Sequence, residues 1–440
     1  MSKRKSITLL SIISAVVAFV LVMTFVRFPI GIKDYNSVIG AIDLDYDLQG
    51  GTAYTLTLSK DNEEKVEDIN KVVDTFEYRL SELGYTLYSV KAVKSTNVNV
   101  KDYDIRIETK TTDSLADDIK VVAAYGEVTF YGGTSENPTT EILKDVTAIE
   151  DAQKLGSVVD ADSNTFYQVA ITFTQEGYDA LMEEIDVAGS GSSYYFLMKL
   201  GDNELPLNKA TISADDFVDR TLNVYLPTEA LARQYALQIR TGGLAYMFDM
   251  DNLEPVSISS PYGSNVATKV LIAIIVLVVL IMVALIVLYR GLGIIGALSM
   301  LLFILGETWM LLAVPGIVLS MGSVIGIMVA TIFTALGCVY VLEKIKTEYA
   351  NSEKTVMAAI KKGFKDTLMA VIGAGVTAGF FALMLILFAS GLAKCFAVTF
   401  GIGVVIGVIT VLLFARMYTA LILPLVEKKE KFLNLKRAEV

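Results

Sequence analysis

Three carboxylates at alternate positions, Asp43, Asp45 and Asp47 in "AIDLDYDLQGGTAYTLTL", are the first residues whose spacing suggests chemistry. Acidic clusters hold calcium when a turn wraps several oxygens around the ion, but alternate residues on an extended strand build no such cage. The expectation here is a solvated strand face and no metal site. Glu307, in "ILGETWML", is the one acid deep inside an apolar run. An ionisable group within a membrane is a candidate for moving charge. Its plainer reading is a side chain that snorkels to the nearer surface or pairs with Lys269. Arg416 reads as an interfacial anchor. Cys338 and Cys395, the only cysteines, both lie in apolar segments and read as small packing residues rather than a disulfide or thiolate site. The chain has no histidine, which removes the usual general base and the commonest zinc ligand. The residues therefore point away from an enzyme and imply no cofactor.

The elements that position these residues follow from periodicity. Ile42, Leu44, Tyr46 and Leu48 alternate with polar residues, and Tyr54, Leu56 and Leu58 resume the alternation beyond Gly50-Gly51. A two-residue turn at the glycines would set Leu48 against Ala53 and Tyr46 against Thr55, leaving the apolar sets on opposite faces. One long strand through both glycines keeps a single parity and leaves bare backbone for a close neighbour.

Composition sets the class. Of 440 residues 53% are hydrophobic, and the mean hydropathy of +0.54 points to an integral membrane protein. Residues 27–265 hold 40 of the 48 acids but 19 of the 37 bases, a net charge of −21. Such a block is unsuited to nucleic-acid phosphates, whose binding needs clustered bases. Ile7 to Val26 is an apolar run after "MSKRK", read as an uncleaved anchor spanning about 20 residues. Further runs cover about 266–289, 291–312, 318–342, 367–389 and 395–423, making six helices grouped one plus five. Lysines crowd the loop 343–366 and the tail "EKKEKFLNLKR", which places both, with the N-terminus, in the cytoplasm and the acidic block outside.

The expected organisation is thus residues 1–26 as N-terminus and first helix, 27–265 as an extracytoplasmic α+β domain, 266–424 as a five-helix bundle and 425–440 as a basic tail. Within the domain, apolar positions from Val66 to Leu83 mark one helix face, closed by Gly84 as a left-handed cap. The βαβ-αβ order that follows, ending in the strand "EVTFY", suggests a ferredoxin-like base at about 35–133 and 219–258. A head subdomain is inserted at about 134–218. The strand "LNVYL" and the helix ended by Thr241-Gly242-Gly243 are read as returning to the base, and "AGSGSS" as a mobile loop. In the bundle, glycines recur four apart at Gly322 and Gly326, Gly375 and Gly379, and Gly403 and Gly407, a spacing that allows close helix packing.

Asp47, Leu48, Gln49, Gly50 and Gly51 form "DLQGG", and with "LQIRTGGLA", "YVLEKIKTEYA", "AAIKKGFKDTL", "FAVTFGIG" and "FAR" they resemble the SecD family. These are membrane subunits assisting the bacterial Sec protein-export channel, related to the proton-driven RND transporters. The resemblance covers nearly the whole chain and implies a six-helix, RND-like polytopic fold. It implies a strand position for "DLQGG" in the base of the outer domain, a mobile head that holds an emerging polypeptide, and a SecF-like partner beside the Sec channel in the cytoplasmic membrane. It also exposes departures. Leu336 and Cys338 stand where the family's fourth helix carries an aspartate and an asparagine, and Gly322-Ser323 replaces its proline-glycine pair. Gly373 and Gly375 replace the polar pair of the fifth helix, although Thr377 remains. None of these can titrate as a carboxylate does. The subunit is therefore expected to carry no proton by itself, with coupling left to Glu307 or a partner. Two other readings stay open: a transporter subunit for a lipid or small molecule, and a proton-uncoupled receptor or scaffold.

Overall fold

The computed structural model describes residues 3–30, 33–59, 69–94, 103–124, 128–133, 140–143, 148–159, 163–187, 195–200, 203–204, 217–241, 244, 246–250, 253–351 and 355–435. The stretch 188–193 and Gly242-Gly243, read above as a loop and a helix stop, lie outside them. The chain forms two compact units, Met1–Gly51 with Ser259–Val440, and Thr52–Ile258.

In the first unit, six helices among the described residues are long and apolar enough to cross a bilayer: Lys3–Phe25, Val266–Tyr289, Gly291–Ala313, Met321–Ala350, Val356–Phe388 and Gly391–Leu425. They are called the first to sixth helices below. Ser320 caps the fourth by accepting from the Ser323 N–H, and Thr355 caps the fifth by accepting from the Ala358 N–H. The fourth helix continues to Ala350 and the fifth begins at Val356, so most of the segment 343–366 expected as a loop is helical. Hydropathy marks only the lipid-compatible part of a helix, whereas the backbone ladder persists through "LEKIKTEY", whose residues are mostly good helix formers. Lys362 Nζ bridges Glu348 at 2.8 Å across this paired extension. The sixth helix is α-helical to Ile409, π-helical over Thr410–Phe414, and α-helical again over Ala415–Ile422. The bundle core gathers Leu292, Phe303, Ala330, Val341, Ile345, Phe400 and Val404, all buried.

The second unit is α+β. One four-stranded sheet has the order Val256–Ile258, Gly51–Leu56, Tyr103–Thr109, Tyr88–Lys94, with antiparallel registers such as Tyr54 opposite Ile107 and Val90 opposite Ile107. This is the ferredoxin-like order. Helix Ile69–Glu82 covers it with Phe76 and Leu80, buried against Ile105, Ile107 and Ile119. Gly84 follows at φ 93°, the conformation expected of its cap position. Arg79 on the same helix is fully buried. It donates to the carbonyls of Val122 at 2.7 Å and Ala124 at 3.1 Å and to Thr241 Oγ1 at 3.0 Å, collecting the free ends of two helices. Burial lowers its guanidinium pKa to about 10.

Two expectations for this unit are corrected. Val128–Gly133 ("EVTFY") does not complete the first sheet; it pairs with Tyr195–Leu200 and Thr140–Leu143, and Val256–Ile258 takes the fourth place. Thr221–Leu226 ("LNVYL") does not return to the base either but pairs with Thr165–Phe173, in a sheet that also holds Phe217–Val218 and Ile149–Val159. Alternation identifies a strand and its buried face, but carries no information about which strand lies beside it. Helix Glu229–Thr241 packs on this second sheet through Ala232, Tyr235 and Ile239, against Val169, Ile171 and Val224.

Candidate functional site

The acidic motif is folded otherwise than its alternation suggests. Tyr46–Gln49 is a single helical turn, so Asp47, Leu48 and Gln49 are not in a strand; Gly50 is its C-cap and Gly51 begins the strand. Gly50 has φ 89° and ψ 173°, a region that essentially only glycine occupies. Of the acidic face only Asp43 is exposed; Asp45 and Asp47 are 3% and 2% exposed. The physical cause is a set of tertiary hydrogen bonds invisible to periodicity. Leu319 N–H donates to Asp43 O at 2.7 Å and Asp45 N–H to Leu319 O at 2.9 Å. Met321 N–H, in the first turn of the fourth helix, donates to Asp47 Oδ2 at 2.7 Å, and Ser260 Oγ to Asp47 O at 2.5 Å. A carboxylate facing a helix N-terminus meets both free N–H groups and the positive end of the dipole. Burial raises the pKa of the Asp47 carboxyl from its ordinary value, opposed by the Met321 N–H and by backbone N–H groups of its own turn. Leu48 seats the motif against Val266 and Val324 of the second and fourth helices.

The second site lies inside the bundle. Glu307 on the third helix is fully buried, and neither carboxylate oxygen has a hydrogen-bond partner among the described residues. It neither snorkels nor pairs with Lys269, which is exposed. Both simpler readings fail because the side chain points into the contact between the fourth and sixth helices. There a Cβ on Gly403 would come within 2.5 Å of Glu307 Oε1 and collide with Ala330. Other glycines serve the same contact or the neighbouring one between the fifth and sixth helices. Side chains on Gly322, Gly326 and Gly407 would strike Leu392 O, Thr399 Oγ1 and Thr334 Oγ1, and one on Gly375 would strike Val408. Gly379 differs, with open space where its Cβ would stand.

The departures from the family pattern divide between buried positions, Gly322, Ser323, Cys338 and Gly375, and exposed ones. Leu336 is 63% exposed on the fourth helix, and Gly373 and Thr377 are exposed on the fifth, the Thr377 hydroxyl donating to Gly373 O at 3.0 Å. Cys338 and Cys395 are buried free thiols. Arg416 is exposed on the sixth helix. Hydroxyl groups at Ser323, Thr331, Thr334, Thr399 and Thr410, all buried, escaped the sequence reading. For three of them the signal was there, since Ser323, Thr399 and Thr410 stand three or four residues from Gly326, Gly403 and Gly407 and share their helix faces. Separately, an apolar cavity of about 500 Å³ lies among the first, second and third helices and residues 39–48, lined by Leu21, Phe25, Ile274, Leu305 and Leu48 among others.

One long helix, an α+β insertion and five further helices around a glycine-rich contact define a polytopic membrane protein of one-plus-five architecture. Residues 244–424 match the family described as protein export membrane protein SecD/SecF, C-terminal. The protein translocase subunit SecD of Petrotoga mobilis is 22% identical over 418 residues, 86% of each chain. That of Dictyoglomus turgidum is 28% identical over 222 residues, 46% of this chain and 51% of that protein. A crystal structure of SecDF in its super-membrane-facing form superposes with a TM-score of 0.71 at 19% identity, covering 94% of this chain and 57% of that one, so the fold is shared. This chain thus spans little more than half the length of two of the proteins it matches. It is thus similar to SecD proteins along most of its length, and residues 244–424 carry the pattern of the SecD/SecF C-terminal family.

Proposed function

We propose that this protein is an auxiliary subunit of a bacterial Sec export machinery. It binds translocating polypeptide through the Thr52–Ile258 unit and acts by binding and movement rather than by bond chemistry. The observation that carries the reading is the alignment with the Petrotoga subunit across 86% of both chains, domain and bundle together. The lysine distribution supports both termini in the cytoplasm and the α+β unit outside. A SecF-like partner is supported by the exposed face of the fourth and fifth helices, where Leu336, Met369 at 77% and Val376 at 66% are uncovered. Of the positions at which the family pattern differs, Leu336 and Gly373 lie on exposed faces of these two helices. The test is a photocrosslinker at Tyr225, 46% exposed, in cells with a stalled export intermediate. Crosslinks to the emerging chain, with slower secretion on depletion of the subunit, are the expected result. Unchanged secretion without crosslinks rejects the reading.

A second reading, transport of a lipid or small apolar molecule, is favoured by the apolar cavity near Ile274 and Leu305. Ile274→Trp would fill it; loss of lipid binding in native mass spectrometry with secretion intact would move the assignment to that reading.

A further inference from the structure

Of the 23 residues of the first helix only Ser6 and Thr24 are buried, one near each end and about 27 Å apart along the axis. Thr24 is fastened: its hydroxyl donates to Val20 O at 2.7 Å and accepts from the indole N–H of Trp309, on the third helix, at 3.1 Å. At the other end Lys3 meets Glu427, just past the sixth helix, at 3.4 Å. Between these points the inward stripe Leu10, Ile13, Val17 and Val20 is no better than half-buried. The helix is held at its ends and stands off from the bundle between them.

The apolar cavity occupies part of this gap. On the second helix its wall is the stripe Ala267, Val270, Ile274, Val278 and Met282, which covers about 22 Å of helix, most of the roughly 30 Å of hydrocarbon. A volume of about 500 Å³ drawn out over that length is a slot about 5 Å across. Phe25, Ile275 and Val279, exposed residues of the lining, form its lips, so the slot opens on hydrocarbon. Leu44 and Leu48 of the acidic turn close it where the second helix begins.

The lining selects the occupant. Of its hydroxyls, Thr24 is engaged with Val20 O and Trp309, Thr308 donates to Ile304 O at 2.8 Å, and Thr268 is exposed at the mouth. Water, which needs about two to four polar partners, is offered none within. A polar small molecule would find no convergent donors and acceptors to orient it. An empty slot would forfeit the dispersion contacts of every wall, and a fused-ring molecule needs more width. A flexible, unbranched hydrocarbon chain meets all of these conditions. Arg27, two residues past Phe25, and Lys269, two past Ala267, are both exposed at the mouth, with Asp43 the exposed acid nearby. Two bases against one acid favour a phosphate there.

We propose that the slot holds one acyl chain of a phospholipid as a resident part of the fold, with the phosphate between Arg27 and Lys269. The chain fills the space beside Leu44 and Leu48 and so steadies the turn whose Asp47 accepts from Met321 N–H. It is a fixed ligand and not a cargo. Its place does not depend on what the Thr52–Ile258 unit binds.

Trp309, the sole tryptophan, reports on the slot because its indole N–H is bonded to Thr24 of the lining. The test loads the full chain with phospholipid brominated on its acyl chains, which quenches indole fluorescence, and then transfers it to vesicles of unbrominated phospholipid. Wild type should keep part of the quenching and lose it roughly tenfold more slowly than Ile274→Phe, which fills the slot. Ile272→Phe, at an exposed position of the same helix outside the lining, should behave as wild type, and Arg27→Gln combined with Lys269→Gln should shorten the retention. Immediate and complete recovery of fluorescence in wild type means ordinary boundary lipid; it overturns the proposal even where Ile274→Phe fails to fold, and leaves lipid transport standing as a reading of the cavity. Equal retention in wild type and Ile274→Phe places the chain elsewhere and overturns it as well. Retention untouched by the double variant overturns the placement of the phosphate.

Discussion

At the scale of the residue, the acidic motif shows what alternation hides. Its even positions are apolar, and parity alone argues for one strand through the glycines. Asp47 instead accepts from Met321 N–H, and the bend this requires is absorbed by Gly50 at φ 89°. A branched side chain in that region costs roughly 1–3 kcal/mol. Gly50→Val should therefore lower the melting temperature of the detergent-purified chain clearly, while Thr55→Val, on an exposed strand position, should leave it nearly unchanged. Equal shifts would contradict the assigned backbone. Arg79→Met removes the donors to Val122 O, Ala124 O and Thr241 Oγ1, and each buried acceptor left unpaired costs about 1–3 kcal/mol, so the same assay should register a large loss. A third expectation concerns pH. Burial raises the folded-state pKa of Asp47 above that of a free aspartate, so its contribution to stability is fully present below the free value and is lost as pH rises through the raised one. The melting temperature of Asp47→Asn minus that of wild type should thus grow on going from about pH 4 to about pH 8. A difference that stays flat or shrinks would reverse the sign of the argument.

At the scale of the element, the helices were readable because hydropathy over some twenty residues is a strong signal. Their functional faces were only partly so. Glycine spacing pointed to close contacts, and Gly322, Gly326, Gly375, Gly403 and Gly407 do meet neighbours, but the pattern could not separate them from Gly379, which faces open space. That difference is measurable. Gly326→Ala should destabilise the bundle because its Cβ collides with Thr399 Oγ1 and the Phe396 carbonyl, whereas Gly379→Ala should be neutral or stabilise by up to about 1 kcal/mol through helix propensity. Denaturation followed by helical circular dichroism decides between these outcomes. Glu307 was visible as an acid in an apolar run, but its aim was not. Whether such a side chain reaches the surface or the interior depends on rotation of the helix about its axis, which neighbouring helices set.

At the scale of the whole molecule, the one-plus-five order and the α+β insertion were legible from where apolar runs stop and acidic composition begins. Strand partnership was not, and the sheets divided differently from the expected base and head. The sidedness of the chain is open to direct measurement. After replacement of Cys338 and Cys395, a membrane-impermeant thiol reagent applied from outside should label Ser163→Cys, exposed in the α+β unit, and spare Glu430→Cys, exposed beyond the sixth helix. The opposite labelling pattern would invert the proposed topology.

The bond from Ser260 Oγ to Asp47 O joins the two stretches of chain that flank the insertion. The bundle therefore fastens its own severed ends before the inserted domain starts, and does not rely on that domain to keep them together. Such a junction works like a socket. Bridging residues 51 and 259 with a short flexible tether is therefore expected to leave the bundle folded, as helical circular dichroism of the shortened chain would check.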